Sequence, residues 1–104
     1  MLRTKKLLAF ALVALCATNP PCAHAQDQAA RSLAANCTGC HGPNGNSAGG
    51  IPAIAGLDKV YIVTVLQEFK AGTRPATVMH QHAKGYTDQE FDTLAEYFSR
   101  QTRQ

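Results

Sequence analysis

Cys37-Thr38-Gly39-Cys40-His41 sets two thiols three positions apart and an imidazole directly after the second. This C-x-x-C-H string is the attachment sequence of a c-type haem. Two thiols at this spacing reach the two vinyl groups of a porphyrin and form thioethers, and the adjacent imidazole falls under the iron as an axial ligand. Two other chemistries use a cysteine pair. A redox-active disulfide of the thioredoxin type follows a strand inside a βαβ unit, and no run here alternates with period two for long enough to make one. A tetrahedral zinc site needs two further ligands. His80 and His82 have one residue between them, where zinc sites usually place about three to five. The expected cofactor is one covalent haem c, with Cys37 and Cys40 as thioether anchors and His41 as proximal iron ligand.

An iron-bound imidazole needs an acceptor for its Nδ1–H, which fixes the ring and strengthens the ligand. Pro52 lies in the downstream turn Gly50-Ile51-Pro52-Ala53-Ile54, and its carbonyl is the candidate; the alternative is a proline that only stiffens the loop. For the sixth position the candidate is Met79. It is one of two methionines, the other being Met1, and it follows Pro75 in a polar stretch with no apolar stripe for it to fill. His80 and His82 are its competitors. Thioether ligation raises the potential relative to paired imidazoles.

Three helices are expected to position these groups. Asp27 to Asn36 is rich in alanine with Leu33 as its apolar anchor, and delivers Cys37 from a helix end. The second runs from the N-cap Asp58 to about Lys70. Ile62, Val65, Leu66 and Phe69 recur on one face, and Gly72 sits at the stop. The third opens with the capping box Thr87-Asp88-Gln89-Glu90, and Phe91, Leu94, Ala95 and Phe98 follow at helical spacing. Gly42 to Gly56 holds too many breakers for a helix or strand, and Thr73 to Tyr86 reads as a second loop. The fold class is all-α.

The first 25 residues read as a cleaved signal peptide. Arg3, Lys5 and Lys6 form a basic start, Leu7 to Leu15 is an apolar run, and Ala23-His24-Ala25 supplies the cleavage pattern. The run is shorter than the ~20 residues a membrane span requires. Leu15 before Cys16 and Pro21 before Cys22 fit a lipoprotein site poorly. The expected mature domain is residues 26–104, located in the periplasm and without a membrane span. Removing residues 1–25 takes the formal charge from +3 to zero, with seven basic residues facing seven acidic ones. Nothing basic then remains to recognise nucleic acid. Only Cys37 and Cys40 survive, so no disulfide framework supports a chain marginal for an unaided core. A covalent porphyrin supplies the missing apolar volume.

Taken in order, Cys37–His41, the Gly-Ile-Pro-Ala-Ile-Ala-Gly stretch 50–56, Met79 and the capped helix ending Leu94-Ala95-Glu96-Tyr97-Phe98 resemble the class I c-type cytochromes. The resemblance implies the small class I cytochrome c fold, with three main helices around one haem and the first and last crossing near Leu33 and Tyr97. It also implies His41 and Met79 as axial ligands and a bond from His41 to the Pro52 carbonyl. Asn44-Gly45-Asn46-Ser47, Phe69 to Met79 and Ala83 to Asp88 are similar to the haem subunit of flavocytochrome c sulfide dehydrogenase. That likeness implies an electron-accepting subunit, not catalytic by itself, beside a flavoprotein that oxidises sulfide. The alternative is a free-standing soluble shuttle to a terminal oxidase or reductase. A small-ligand-binding or peroxidatic cytochrome would need a labile sixth ligand.

Overall fold

The computed structural model describes residues 21–104, and four α-helices account for most of them: α1 (Pro21–His41), α2 (Lys59–Ala71), α3 (Met79–Lys84) and α4 (Asp88–Ser99). A single 3₁₀ turn, Pro43–Gly45, follows α1. The described residues contain no strand, and no helix among them is long and apolar enough to cross a membrane. The basic start and apolar run of the expected signal peptide lie outside the described residues. Ala23–Ala25 fall in the first turns of α1, where residues 22–29 are exposed.

α1 begins earlier and ends later than the expected span of 27–36. It does not stop before Cys37; it carries the whole C-x-x-C-H string in its final turns. Gly39 lies within the continuous helix, with open space where a side chain would be. The stop is at Gly42, whose φ of 80° leaves the helical region, and Pro43 follows it.

α2 starts where Asp58 Oδ1 accepts from the Tyr61 amide at 2.9 Å. It ends at Gly72, which takes the left-handed conformation with φ of 76° and donates to the Glu68 and Phe69 carbonyls. α4 opens on a closed capping box. Thr87 Oγ1 accepts from the Glu90 amide, and Glu90 Oε2 accepts from the Thr87 amide. The stretch 73–86 is not a continuous loop: α3 occupies its second half. Six residues are too few to show a helical period, and its N-cap, Val78, offers no capping side chain.

The core forms where α1 crosses α4. Ala34, Ile62, Leu94, Ala95 and Phe98 make one buried cluster, with Leu33 and Tyr97 packed against its edge. Tyr97 and Phe98 meet edge to face at 5.1 Å. Outside this cluster Phe91 is fully buried. It lies near the Tyr86 ring and beneath Lys70 Nζ, 5.2 Å from its centroid. α2 packs on both α3 and α4. Of its apolar face only Ile62 is buried; Val65, Leu66 and Phe69 are half-buried and line a cavity, Leu66 also packing against the cluster.

Candidate cofactor site

A helix advances about 100° per residue, so positions 37, 40 and 41 fall within about 100° of arc on one side of α1. That is the local reason the motif serves as a single attachment face. Cys37, Cys40 and His41 all line a cavity of about 490 Å³, within the size range of about 300–1,000 Å³ common to cofactor sites. Ile51 to Ile54 and Leu57 supply one part of its wall. Tyr61, Ile62, Val65, Leu66 and Phe69 of α2 supply another, and Leu94 and Phe98 of α4 close the inner end. Arg74 to Met79, His82, Ala83 and Tyr86 complete it.

His41 Nδ1 lies 2.6 Å from the Pro52 carbonyl oxygen. A carbonyl can only accept, so Nδ1 carries the proton and Nε2 is left as the basic nitrogen. Three backbone contacts hold the 42–56 loop that delivers Pro52. The Gly45 carbonyl accepts from the Ile54 and Ala55 amides at 2.8 and 3.1 Å, and the Gly56 amide donates to the Phe98 carbonyl at 2.9 Å. The loop is fastened from the other side by Tyr97, whose hydroxyl donates to Asn44 Oδ1.

Burial pushes the Cys37 thiol pKa above its ordinary value. A redox-active pair needs the opposite, a thiol lowered by a nearby cation or helix N-terminus. Cys37 and Cys40 sit instead at a helix C-terminus. Neither is joined in a disulfide. The residues present therefore fit a covalently held, largely apolar ring: two thiols and an imidazole on one face, a thioether on the same cavity, and walls of aliphatic and aromatic side chains.

The structure brings Cys37, Cys40, His41, Pro52 and Met79 to one cavity. His80 is not among its lining residues; it lines a small recess with Gly72, Arg74 and Lys84. Tyr61 and Arg74 line the cavity without any sequence signal, and His82, one of the two competitors to Met79, lines it as well. Tyr61 is half-exposed on the first turn of α2. Arg74 is held by Glu68 at 2.8 Å and lies 5.6 Å from the Phe69 ring centroid. His82 stands one turn beyond Met79. A helix assigned to 79–84 would have exposed the pairing of 79 with 82; nothing in the sequence marks Tyr61 or Arg74 as cavity residues.

The family model for cytochrome c matches residues 27–101. The cytochrome subunit of sulfide dehydrogenase from Chlorobaculum tepidum is 53% identical over 66 residues, covering 64% of this chain and 60% of that protein. Cytochrome c4 from Azotobacter vinelandii is 37% identical over 91 residues, covering 76% of this chain and 43% of the relative. The thiosulfate dehydrogenase electron acceptor of Thiomonas intermedia is 39% identical over 74 residues, covering 69% of this chain and 34% of the relative. The chain thus spans between about a third and three-fifths of the length of these relatives.

Proposed function

Because the chain belongs to the cytochrome c family, we propose that it holds one haem c and serves as the electron-accepting subunit of a flavin-containing sulfide dehydrogenase in the periplasm. Cys37 and Cys40 would hold the ring through thioethers, and His41 and Met79 would bind the iron. The haem supplies a one-electron couple between Fe(II) and Fe(III). The Pro52 carbonyl holds His41 in one tautomer and one orientation. The aliphatic walls of the cavity exclude water. With His41 and Met79 both holding the iron, no position would be left for substrate, and the chain would carry electrons and leave catalysis to its partner.

The observation that carries this reading is the arrangement of Cys37, Cys40 and His41 on one helix face lining the cavity, with the imidazole already fixed by Pro52. The 53% identity to a sulfide dehydrogenase cytochrome subunit favours the sulfide-oxidising partner. Likeness to cytochrome c4 and to a thiosulfate dehydrogenase electron acceptor favours the second reading, a free-standing carrier. Residues 1–25 are a leader removed on export. The exposed first turns of α1, residues 22–29, make that removal inexpensive.

The test is an optical spectrum of the protein isolated from periplasm at its native size, oxidised and reduced. Haem with flavin absorbance supports the dehydrogenase subunit, and sulfide is then the first substrate to try. Haem alone at the mass of one short chain supports the mobile carrier. Absence of haem overturns both readings. Amino-terminal sequencing of the same sample should begin at Gln26.

A further inference from the structure

Met79 and His82 stand three residues apart on α3, and both line the cavity that Cys37, Cys40 and His41 also line. His80, although adjacent to Met79, lies on the recess with Arg74 and Lys84. Helix geometry accounts for the division. Three residues turn about 300°, returning to within about 60° of the start, whereas one residue turns about 100° away. Position 82 therefore repeats the aspect of position 79 one turn later, and position 80 does not.

The His82 ring is not committed elsewhere. It is exposed, and among the described residues the side-chain hydrogen bonds and ion pairs near α3 use Lys70 and Arg74 instead. The helix carrying it is also lightly fixed. It has six residues, Val78 supplies no capping side chain, and Ala83 is its one buried residue. The preceding stretch 72–78 has no regular structure. Bringing residue 82 to the place of residue 79 needs a slide of about 4.5 Å along the axis with a turn of about 60°. The unstructured stretch before α3 and Gly85 after it can absorb such a movement.

We infer that His82 is a reserve axial ligand: when the Met79 thioether is lost, a ring nitrogen of His82 binds the haem iron in its place. This rests on the haem reading above. The exchange replaces a sulfur lone pair with a nitrogen lone pair, and no electron is gained or lost. Paired imidazoles hold the iron at a lower potential than histidine with methionine. Loss of Met79 thus gives a carrier of lower potential with a closed iron, not a peroxidatic centre with an open one.

The experiment uses the full chain matured in an exporting host, read by electron paramagnetic resonance and near-infrared magnetic circular dichroism. These distinguish thioether from imidazole ligation without measuring activity. Wild type is read first and should show the thioether. Met79→Ala should show paired imidazoles, and Met79→Ala/His80→Ala should keep that signature. Met79→Ala/His82→Ala should lose it and bind added imidazole about tenfold or more tightly than Met79→Ala, because an internal ligand masks the site in proportion to its occupancy. High-spin iron in Met79→Ala, or paired imidazoles persisting without His82, would overturn the proposal. If Met79→Ala fails to retain haem, Met79→Leu, closer in volume, replaces it in the same series. A wild type that already shows paired imidazoles overturns the reserve role together with Met79 as resident ligand. A wild type lacking haem overturns the haem reading, a failure visible before any variant is made.

Discussion

Gly45 is the residue on which the geometry of the site loop turns. Its φ is 80°, and a Cβ there would sit 2.8 Å from Ile54 Cγ1, 2.9 Å from Phe98 Cδ1 and 3.0 Å from the Ala55 nitrogen. Two of those neighbours are core or backbone atoms with no room to retreat. Gly45→Ala should therefore combine left-handed strain with overpacking and lower the unfolding free energy by about 2–4 kcal/mol. Chemical denaturation of the holoprotein would measure it; a loss below about 1 kcal/mol would mean that the loop can move off Phe98 cheaply. The candidate ligands were legible at this scale because their chemistry is written in contiguous spacing or in rarity. Cys37, Cys40 and His41 form one string, and Met79 stands almost alone among methionines. Tyr61 and Arg74 were not legible, since each reaches the cavity only through the way α2 and the 72–78 stretch are folded together, and the choice between His80 and His82 waits on the helix that turns only residue 82 toward it.

At the scale of elements, side-chain caps mark the starts of α2 and α4, whereas α1 is legible in its middle but not at its ends and α3 is not legible at all. Thr87 and Asp58 announce α4 and α2 by satisfying amides that the first turn leaves without partners. Thr87→Ala removes both the acceptor for the Glu90 amide and the hydroxyl facing Glu90 Oε2. It should cost about 1 kcal/mol, and Asp58→Ala about the same. Thermal unfolding of the two variants would check this, and a Thr87 variant as stable as the parent would show that the buried Phe91, Leu94, Ala95 and Phe98 alone set the start of α4. α1 runs past the alanine-rich stretch through the attachment motif because Cys37 to His41 contain no residue that forbids helix. α3 carries no sequence signal, for want of length and of a cap. Its only strongly apolar commitment is Ala83, too small to mark a face.

For the whole molecule, what matters is that the buried cluster is small and borders a cavity of about 490 Å³. A protein of this size has little apolar burial to spare. Cys37→Ala/Cys40→Ala, which removes covalent attachment, should broaden the unfolding transition and reduce its denaturant dependence while leaving much of the helical circular dichroism; a sharp transition matching the holoprotein would show that the polypeptide core suffices. Surface charge adds a smaller, pH-dependent contribution across the α2–α4 boundary. Lys59 Nζ pairs with Asp92 at 2.9 Å and Glu96 at 3.2 Å, and Arg100 also reaches Glu96. The hydrogen bond from Lys59, then the charge of Arg100, lower the Glu96 carboxyl. The hydrogen bonds to Asp92 and Glu96 raise the Lys59 ammonium. A lowered carboxyl contributes stability above its ordinary range, and that contribution is lost as pH falls through its folded value. A raised ammonium contributes below its ordinary range and loses the contribution as pH rises through its folded value. Stability of Lys59→Met should therefore fall less steeply on acidification than that of the parent. Added salt should narrow the difference, because these groups are exposed. Unfolding measured against pH at two ionic strengths would check both.

The Asn46 side chain has a consequence for the order in which the molecule assembles. Its amide donates to the Thr102 carbonyl at 3.0 Å and its Oδ1 accepts from the Gln104 amide at 2.9 Å, contacts that close sequence separations of 56 and 58 residues. Contacts so distant along the chain close late, after helices built from local bonds have formed. In a polypeptide emerging amino end first, the two thiols are presented on their helix well before residues 102–104 arrive to fasten the loop beside them. The fold thus leaves a time window for attachment: the cysteines are displayed early, and the latch that secures their surroundings comes last.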